Sequence, residues 1–300
     1  MSVKPIPTPQ FIVAPRQAAL QPVLVALTTY DNDPEGWLAQ AIDSVLTQSF
    51  SDFALLIVIN GPVAASKTSM LLKFAEQDER IIVAQNGHNE GLAACMNQAI
   101  EWMLGYDNYQ FFVRMDADDI CHPERLLKQY NFMQLHKKVA ILGTALTEIN
   151  EAGQKVGSRV MPASNNVIVR MLPRRCTLNH PTVMMRREVF CQGHRYDSQL
   201  MNTQDYFLWI ELAAAGYEFR NLRERLLEFR RVNDFYKRRG LAKSVNEFKA
   251  RFQAMRRLHR FTVFNVAYAC SVLMLRLMPA QVIKLAYKLD RVLLEKLIRH

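Results

Sequence analysis

Short apolar runs alternate with longer amphipathic stretches along the first half of the chain. The runs occupy residues 23–27, 55–59, 81–84, 111–113 and 139–142, and each is followed by a polar residue or glycine. Runs of this length predict buried strands, whereas the stretches between them are long enough for helices. Strands and helices in alternation predict an α/β fold with a mostly parallel central sheet.

The predicted helices carry start signals and apolar stripes. Asp33 and Pro34 supply an N-cap and a first-turn proline after the first strand. Helices are also predicted near 66–77, after Gly91, after Pro123 and over 204–216. The helix start at Gly91 either directs backbone N–H groups at an anion or only makes a tight turn. The apolar stripe of the first helix is Trp37, Leu38, Ala41, Ile42, Val45 and Leu46.

Polar residues follow three of these strands. Thr28 and Tyr30 follow the first, Asn60 follows the second, and the acidic residues 116–119 follow the run at 111–113. Ligands of parallel α/β sheets bind beyond the carboxyl ends of the strands. The sequence therefore predicts that these residues share one rim of the sheet.

The acidic residues have the composition of a cation site. Continued strand alternation sends Asp116 and Asp118 to the same side, while Asp119 points away or begins the next turn. Without a nearby Lys, the converging carboxylates repel each other unless a cation is bound, and such oxygen ligands suit Mg²⁺ or Mn²⁺. The alternative is a solvated acidic turn that caps the helix near Pro123.

Two further residues are candidates with open alternatives. His180 precedes a strand-like segment and is either a structural residue or a functional one. Asp205 lies at the start of the helix QDYFLWIELAAAG. Its carboxylate either complements the helix dipole or serves as a general base that the same dipole keeps ionised.

The positive charge is concentrated at the C-terminal end. The formal charge is +10, and residues 220–300 hold 20 Lys and Arg against 6 Asp and Glu. Such a charge indicates that the tail binds a nucleic acid or an anionic membrane surface, or that its helices are merely solvated. The apolar run at 266–275 is too short to span a bilayer. A last helix after Pro279 has the pattern of an interfacial helix, or packs on the rest of the protein; its polar face is Lys284, Lys288, Arg291, Glu295 and Arg299.

The predicted organisation is a flexible Pro-rich leader over 1–20, an α/β domain over 21–235 and a basic helical tail over 236–300. The leader lacks the charged and apolar segments of a signal peptide. Five scattered cysteines without a C-x-x-C pair indicate a reduced protein. A cytoplasmic location is therefore expected.

The ordered motifs from about 23 to 231 resemble the bacterial family 2 glycosyltransferases, which are inverting enzymes with a GT-A fold. VLVALTTYDND is similar to the opening strand and turn of the family, and NEGLAACMNQAI to its glycine-started helix. RMDADDICHPERLLKQ resembles the metal-binding aspartate region, and HPTVMMRREVF and QDYFLWIELAAAGYEF resemble the acceptor-side strand and helix. The resemblance implies that 21–235 is a GT-A domain binding a nucleotide-sugar.

The resemblance also implies residue roles. Thr28 and Tyr30 contact the nucleobase, Asp116 the ribose or metal, Asp118 the metal and diphosphate, and Asp205 is the base. Two positions depart from the family pattern. Asn60 stands where an acid is usual, so its amide oxygen would have to accept the uracil N3–H. Gln204 replaces the usual Glu beside the base, which removes a charge there.

The activity implied is inverting transfer of a sugar from a nucleotide-diphosphate donor, a UDP-sugar in the first instance, with Mn²⁺ or Mg²⁺. The acceptor is a saccharide or lipid-linked saccharide in surface-polysaccharide assembly, met at the inner face of the membrane. The alternative is a non-catalytic module that binds nucleotide-sugars or nucleic acid. No nucleic-acid motif supports it, so no nucleic-acid partner is expected. A nucleotidyltransferase would need a glycine-rich loop, which TTYDND lacks.

Overall fold

A central sheet organises the chain in the computed structural model, which describes residues 6–14, 21–232 and 241–276. The strands are β1 Gln10–Val13, β2 Val23–Thr29, β3 Phe53–Ile59, β4 Ile81–Gln85, β5 Phe111–Asp116, β6 Ile120–Cys121, β7 Val139–Ile149, β8 Lys155–Arg159, β9 Met184–Arg186 and β10 Glu218–Arg230. Across these described segments the order is β1-β4-β3-β2-β5-β9-β7-β10-β6, with β8 paired to β7.

Helices connect most of the strands. They are α1 Glu35–Leu46, α2 Ala65–Gln77, α3 Leu92–Leu104, α4 Arg125–Leu135, α5 Asn165–Met171, α6 Arg187–Cys191, α7 Gln204–Ala214, α8 Leu241–Arg257 and α9 Val263–Arg276. A 3-10 turn spans His180–Thr182. The predicted strand and helix alternation is therefore present from β2 to α4.

The prediction of an α/β fold with a mostly parallel central sheet is confirmed. Strands β4, β3, β2 and β5 run parallel to one another, as do β7 and β10. The short strand β9 joins the two parallel groups by antiparallel pairing with β5 and β7. The parallel register sets Thr28 beside Asp116, so the ends of β2 and β5 meet at one rim.

The core explains why the strand sequences are unbroken apolar runs. Strand β2 is buried on both faces, which removes the polar alternation of a half-exposed strand. Leu24 and Ala26 pack with α3 and α7 on one face. Val25 and Leu27 pack with α1 and α2 on the other. Helices therefore cover both faces of the central strands and leave the strand ends for ligands.

Two segments differ from the sequence-based expectations. Residues 10–13, predicted as part of a flexible leader, form β1 and pair with β4, where Phe11 packs 6.5 Å from the ring of Trp102. Residues 150–158, whose polar sequence predicts a turn, contain a turn at Asn150 followed by strand β8, which pairs with β7. Both are short edge strands with partly exposed side chains, which leaves little apolar signal in the sequence.

The basic tail begins with two helices. α8 contacts α7 and buries Ala250, Ala254 and Met255, and α9 contains the apolar run at 266–275. None of the helices in the described segments is long and apolar enough to cross a membrane. Three parts of the tail lie outside the described residues: its basic start, YKRRG at 236–240, then Pro279 and the predicted last helix.

Candidate active site

The loop after β2 is held in place by a buried lysine. Lys67 of α2 donates its ammonium hydrogens to the carbonyl oxygens of Tyr30 at 2.7 Å, Asp31 at 2.8 Å and Asp33 at 2.8 Å. Asp33 in turn accepts from the hydroxyl of Thr29 at 3.1 Å and from the Tyr30 N–H at 3.0 Å. The predicted nucleobase loop is thus preorganised by Lys67, which the sequence did not single out, and by Asp33. The prediction that Asp33 caps α1 is wrong, because Pro34 is the N-cap and the Asp33 carboxylate bonds to the loop instead.

Three acidic side chains converge at the end of β5. One carboxylate oxygen from each of Asp116, Asp118 and Asp119 lies within 4.8 Å of the others. Of the two alternatives for Asp119, that it points away or begins the next turn, the first is wrong, because β5 ends at Asp116 and the chain turns there, so strand alternation no longer applies. Asp119 Oδ1 accepts from the Arg230 N–H at 2.9 Å, whereas its buried Oδ2 has no hydrogen-bond partner among the described residues.

The electrostatics of this acidic cluster fit a cation. Burial and the charge of Asp116 raise the pKa of Asp118 to about 7. Burial and the charges of Asp116 and Asp118 also raise the pKa of Asp119 well above its ordinary value. A divalent cation would stabilise the ionised forms of both Asp118 and Asp119. Clustered carboxylate oxygens are also the ligands that Mg²⁺ and Mn²⁺ prefer. The buried, unpartnered oxygen of Asp119 adds a further ligand atom.

Arg114 gives the cluster a basic partner that the sequence analysis missed. Both of its terminal nitrogens pair with the two carboxylate oxygens of Asp116, and the residue is only 3% exposed. Residues two apart on a strand point to the same face, so the spacing of Arg114 and Asp116 is the signal that predicts this pair. Bidentate pairing fixes the Asp116 carboxylate in one orientation.

A second cation braces the backbone of the acidic turn. Arg230, at the end of β10, donates from Nε to the carbonyl oxygen of Asp118 at 3.0 Å. Its Nη2 donates to Gln40 Oε1 at 2.8 Å, and its guanidinium lies 4.9 Å from the ring centroid of Trp37. Arg230 therefore ties the turn to α1, which makes the cluster a built feature of the fold.

Asp205 lies in the first turn of α7, after Thr203 in the left-handed conformation (φ 67°). Burial raises the pKa of Asp205, while the charges of Arg114 and Lys243 lower it in part. The thiol of Cys176 lies 3.9 Å from Asp205 Oδ2. A carboxylate with a raised pKa in a partly buried site has the properties of a general base.

The charge of Arg114 acts both on the acidic cluster and on Asp205. Its charge lowers the pKa of Asp205 and also contributes at Asp118 and Asp119. His180 belongs to the same region, because the charge of Arg114 and, more strongly, burial lower its pKa well below the ordinary value. His180 is therefore a neutral imidazole, with Nε2 3.0 Å from the hydroxyl of Tyr196.

Asn60 is engaged with the loop before α3. Its Nδ2 donates to Asn89 Oδ1 at 2.8 Å, and its Oδ1 accepts from the Glu90 N–H at 2.9 Å. One lone pair of the amide oxygen is therefore already used, and the uracil contact at Asn60 stays a prediction. Gly91 has φ +86° with no atom near its missing Cβ, so the backbone conformation accounts for this glycine.

These groups form the candidate site of a transferase at the carboxyl edge of the α/β sheet. The family model for glycosyl transferase family 2 matches residues 24–193. The chain belongs to this family, and it is a glycosyltransferase.

Named relatives and a solved structure agree with this family membership. The O-antigen biosynthesis glycosyltransferase WbnJ of Escherichia coli is 31% identical over 73% of this chain and 83% of its own length. The amylovoran biosynthesis glycosyltransferase AmsE of Erwinia amylovora is 28% identical over 89% of this chain and 98% of its own. The structure of S. aureus TarS 1–349 in complex with UDP-GlcNAc has a TM-score of 0.62 at 15% identity, covering 85% of this chain and 71% of that one. This likeness shows the GT-A type fold.

The raised pKa of Asp118 gives a prediction for metal binding. Its folded-state pKa of about 7 lies above the ordinary 3.8. The stability that this proton supplies is therefore present below about pH 4 and is lost as the pH rises through about 7. A cation competes with the same proton. Mn²⁺ should therefore raise the unfolding temperature more at about pH 8 than at about pH 6, as measured by thermal unfolding with and without the ion.

The matched variant for this measurement is Asp118→Asn, which cannot lose a proton at this position. Its Mn²⁺-induced shift should be smaller and should vary less with pH. Equal shifts for the unchanged protein at both pH values would contradict a cation site at the acidic cluster.

Proposed function

We propose that the protein transfers a sugar from a UDP-sugar to a hydroxyl group of a saccharide acceptor, with inversion at the anomeric carbon. One observation carries this proposal. The charge of Arg114, which pairs with Asp116 in the acidic cluster, also acts on the partly buried carboxylate of Asp205. This supports a donor diphosphate and an acceptor hydroxyl that bind near one another at the two sites.

The donor half is the rim formed by β2, β3 and β5. Thr28 lies near the end of β2 and Tyr30 on the braced loop that follows it, where they would contact the nucleobase, and Asn60 follows β3. The buried hydroxyl of Thr28 has no hydrogen-bond partner in the described part of the chain, so it has a polar group left to offer a ligand. The UDP-GlcNAc bound to TarS supports a UDP-sugar as the donor.

The acidic cluster would hold the metal. Within the described segments, Asp118 supplies a carboxylate that forms no ion pair, Asp119 an oxygen without a hydrogen-bond partner, and Asp116 a carboxylate fixed by Arg114. A bound Mg²⁺ or Mn²⁺ supplies positive charge that stabilises the departing diphosphate. Arg114 neutralises part of the charge of the cluster, which keeps an anionic donor from being repelled.

The acceptor half centres on Asp205. Its carboxylate takes the proton of the acceptor hydroxyl as that oxygen attacks the anomeric carbon from the face opposite the diphosphate. Burial raises the pKa of Asp205 and so makes it a stronger base than an exposed aspartate. Burial lowers the pKa of His180 well below its ordinary value, so its imidazole, with Nε2 3.0 Å from the hydroxyl of Tyr196, is a weaker base than an ordinary histidine.

The acceptor that we propose is a lipid-linked saccharide of surface-polysaccharide biosynthesis. The names of the O-antigen and amylovoran relatives support the polysaccharide class. The basic tail over 236–300 supports a membrane-surface partner, with the protein peripheral on the inner face of the membrane.

Release of the nucleotide diphosphate tests this function. The protein is incubated with Mn²⁺, an extract of saccharide acceptors and, in turn, UDP-, GDP- and dTDP-sugars, and the released diphosphate is measured. We expect release from a UDP-sugar that increases when acceptor is added. Binding of UDP-sugars without any release would instead favour a non-catalytic binding module.

A further inference from the structure

The turn between α8 and α9 carries an apolar patch on its surface. Phe261, Val263 and Phe264 are 61%, 88% and 62% exposed. Single exposed apolar residues are normal, but three large ones within four positions form a contiguous patch that indicates an interaction site. We name residues 256–264 the α8–α9 tip.

The same tip is strongly cationic. Arg256, Arg257 and Arg260 are exposed, and neither Asp nor Glu occurs between residues 248 and 289. Large apolar side chains combined with arginines and no acids are the composition of protein surfaces that insert into the interface of anionic membranes.

The tip is fixed to the body of the protein. The buried side chain of Asn265 donates to the carbonyl oxygen of Arg260 at 2.9 Å and accepts from Arg174 Nε at 2.9 Å. The guanidinium of Arg174 lies 4.6 Å from the ring centroid of Phe264. Arg251 of α8 donates to the carbonyl oxygen of Arg174 at 2.7 Å. The tip and the segment around Arg174 are therefore one rigid unit.

That segment also contacts the proposed base. Cys176, two residues after Arg174, places its thiol 3.9 Å from Asp205 Oδ2. The hydroxyl of Tyr206, the residue after Asp205, donates to the carbonyl oxygen of Leu172. Residues 172–176 thus connect the tip to the acceptor side of the active site.

We propose that the α8–α9 tip docks on an anionic lipid surface and thereby fixes the acceptor side of the active site relative to that surface. The proposal rests on the proposed function, since it assigns the place where a lipid-linked acceptor is met. It differs from the sequence-based prediction, which put the cationic face on the last helix. A docked tip would orient the acceptor side of the active site toward the lipid surface without a membrane-spanning helix.

The chemistry of the tip favours lipid over other partners. Nucleic acid would pair with the arginines but would leave Phe261 and Val263 in water. A second copy docking through the same tip would bring like charges together, which is unfavourable. An anionic bilayer suits both kinds of side chain on the tip, because its headgroups attract the arginines and its interface accommodates the apolar side chains.

Vesicle flotation of the full chain tests the proposal. The vesicles are phosphatidylcholine alone or phosphatidylcholine with phosphatidylglycerol. One variant combines Phe261→Ser with Val263→Asp, which removes the exposed apolar groups. A second combines Arg256→Gln with Arg257→Gln. Each cation near an anionic surface changes partitioning about fivefold, equivalent to ~1 kcal/mol, so the second variant should bind anionic vesicles at least about tenfold more weakly.

The chain offers a matched control at the end of α4. Leu135 is 80% exposed and Lys137 and Lys138 beside it are exposed as well. The triple variant Leu135→Asp, Lys137→Gln, Lys138→Gln removes the same kinds of groups from another surface. It should float like the unchanged protein, and all variants should keep their unfolding temperature and their release of UDP with a soluble acceptor.

The outcomes separate the possibilities. Flotation that falls in both tip variants but not in the α4 variant supports the proposal. Equal flotation of all variants, or none by the unchanged protein, overturns it. A change in the sedimentation mass of the tip variants, with unchanged flotation, assigns the tip to self-association and overturns it too. Flotation requires no turnover. An absence of UDP release in the unchanged protein and in all variants would therefore contradict only the proposed function.

Discussion

Asp205→Asn should transfer sugar about 10²- to 10⁴-fold more slowly than the unchanged protein, because an amide cannot accept the proton that general-base catalysis removes. Asn preserves the size of the side chain, and the UDP-sugar is expected to contact the rim of β2, β3 and β5 instead of this residue. Donor affinity, measured by calorimetry with Mn²⁺, should therefore remain unchanged while the transfer rate falls.

Stability separates this role from a helix-capping role. Burial raises the pKa of Asp205, so its charged form is disfavoured in the folded state, and a neutral Asn should not lower the unfolding temperature above neutral pH. Asp197→Asn is the matched control, because Asp197 is exposed in the loop before α7. Transfer at the unchanged rate by Asp205→Asn, together with a lowered unfolding temperature, would identify Asp205 as a structural helix-start residue.

Asp118→Asn should reduce turnover by at least about 10²-fold, the loss typical of removing one preorganised electrostatic contact. The substitution removes a charged ligand atom from the acidic cluster. It also removes repulsion from Asp116, so the metal-free protein should remain folded. The rate of UDP release at saturating Mn²⁺ measures the effect.

Metal removal provides the second arm of this experiment. EDTA should suppress turnover of the unchanged protein, and added Mn²⁺ should restore it. Asp43→Asn on the exposed side of α1 is the matched control and should behave like the unchanged protein. Full activity of Asp118→Asn in the presence of EDTA would contradict the assignment of the cluster to a metal.

The central strands were predictable because burial on both faces leaves a strong apolar signal. The expectation of a shared rim holds for Thr28 and Asp116, which are register partners, because strands connected through helices run parallel and end at the same edge of the sheet. Strands β1 and β8 were missed because edge strands with exposed side chains lack that signal. Asp119 joins the acidic cluster instead of pointing away, because strand alternation ends with β5 at Asp116.

The residues that brace the site were hidden for a different reason. Lys67 donates to carbonyl oxygens 34 to 37 positions away, and Arg230 donates to one 112 positions away. Any residue type presents a backbone carbonyl, so the sequence contains no mark of these partners. Arg114 is the exception, because its two-residue spacing from Asp116 could have indicated the ion pair.

The configuration of the transferred sugar tests the central claim most directly. The claim is a single displacement in which Asp205 activates the acceptor opposite the departing diphosphate. With an α-linked UDP-sugar as donor, the first product formed should contain a β-linked sugar, as read from the anomeric proton signal by nuclear magnetic resonance. An α-linked first product would contradict the account, because retention requires a different arrangement of groups from a single base.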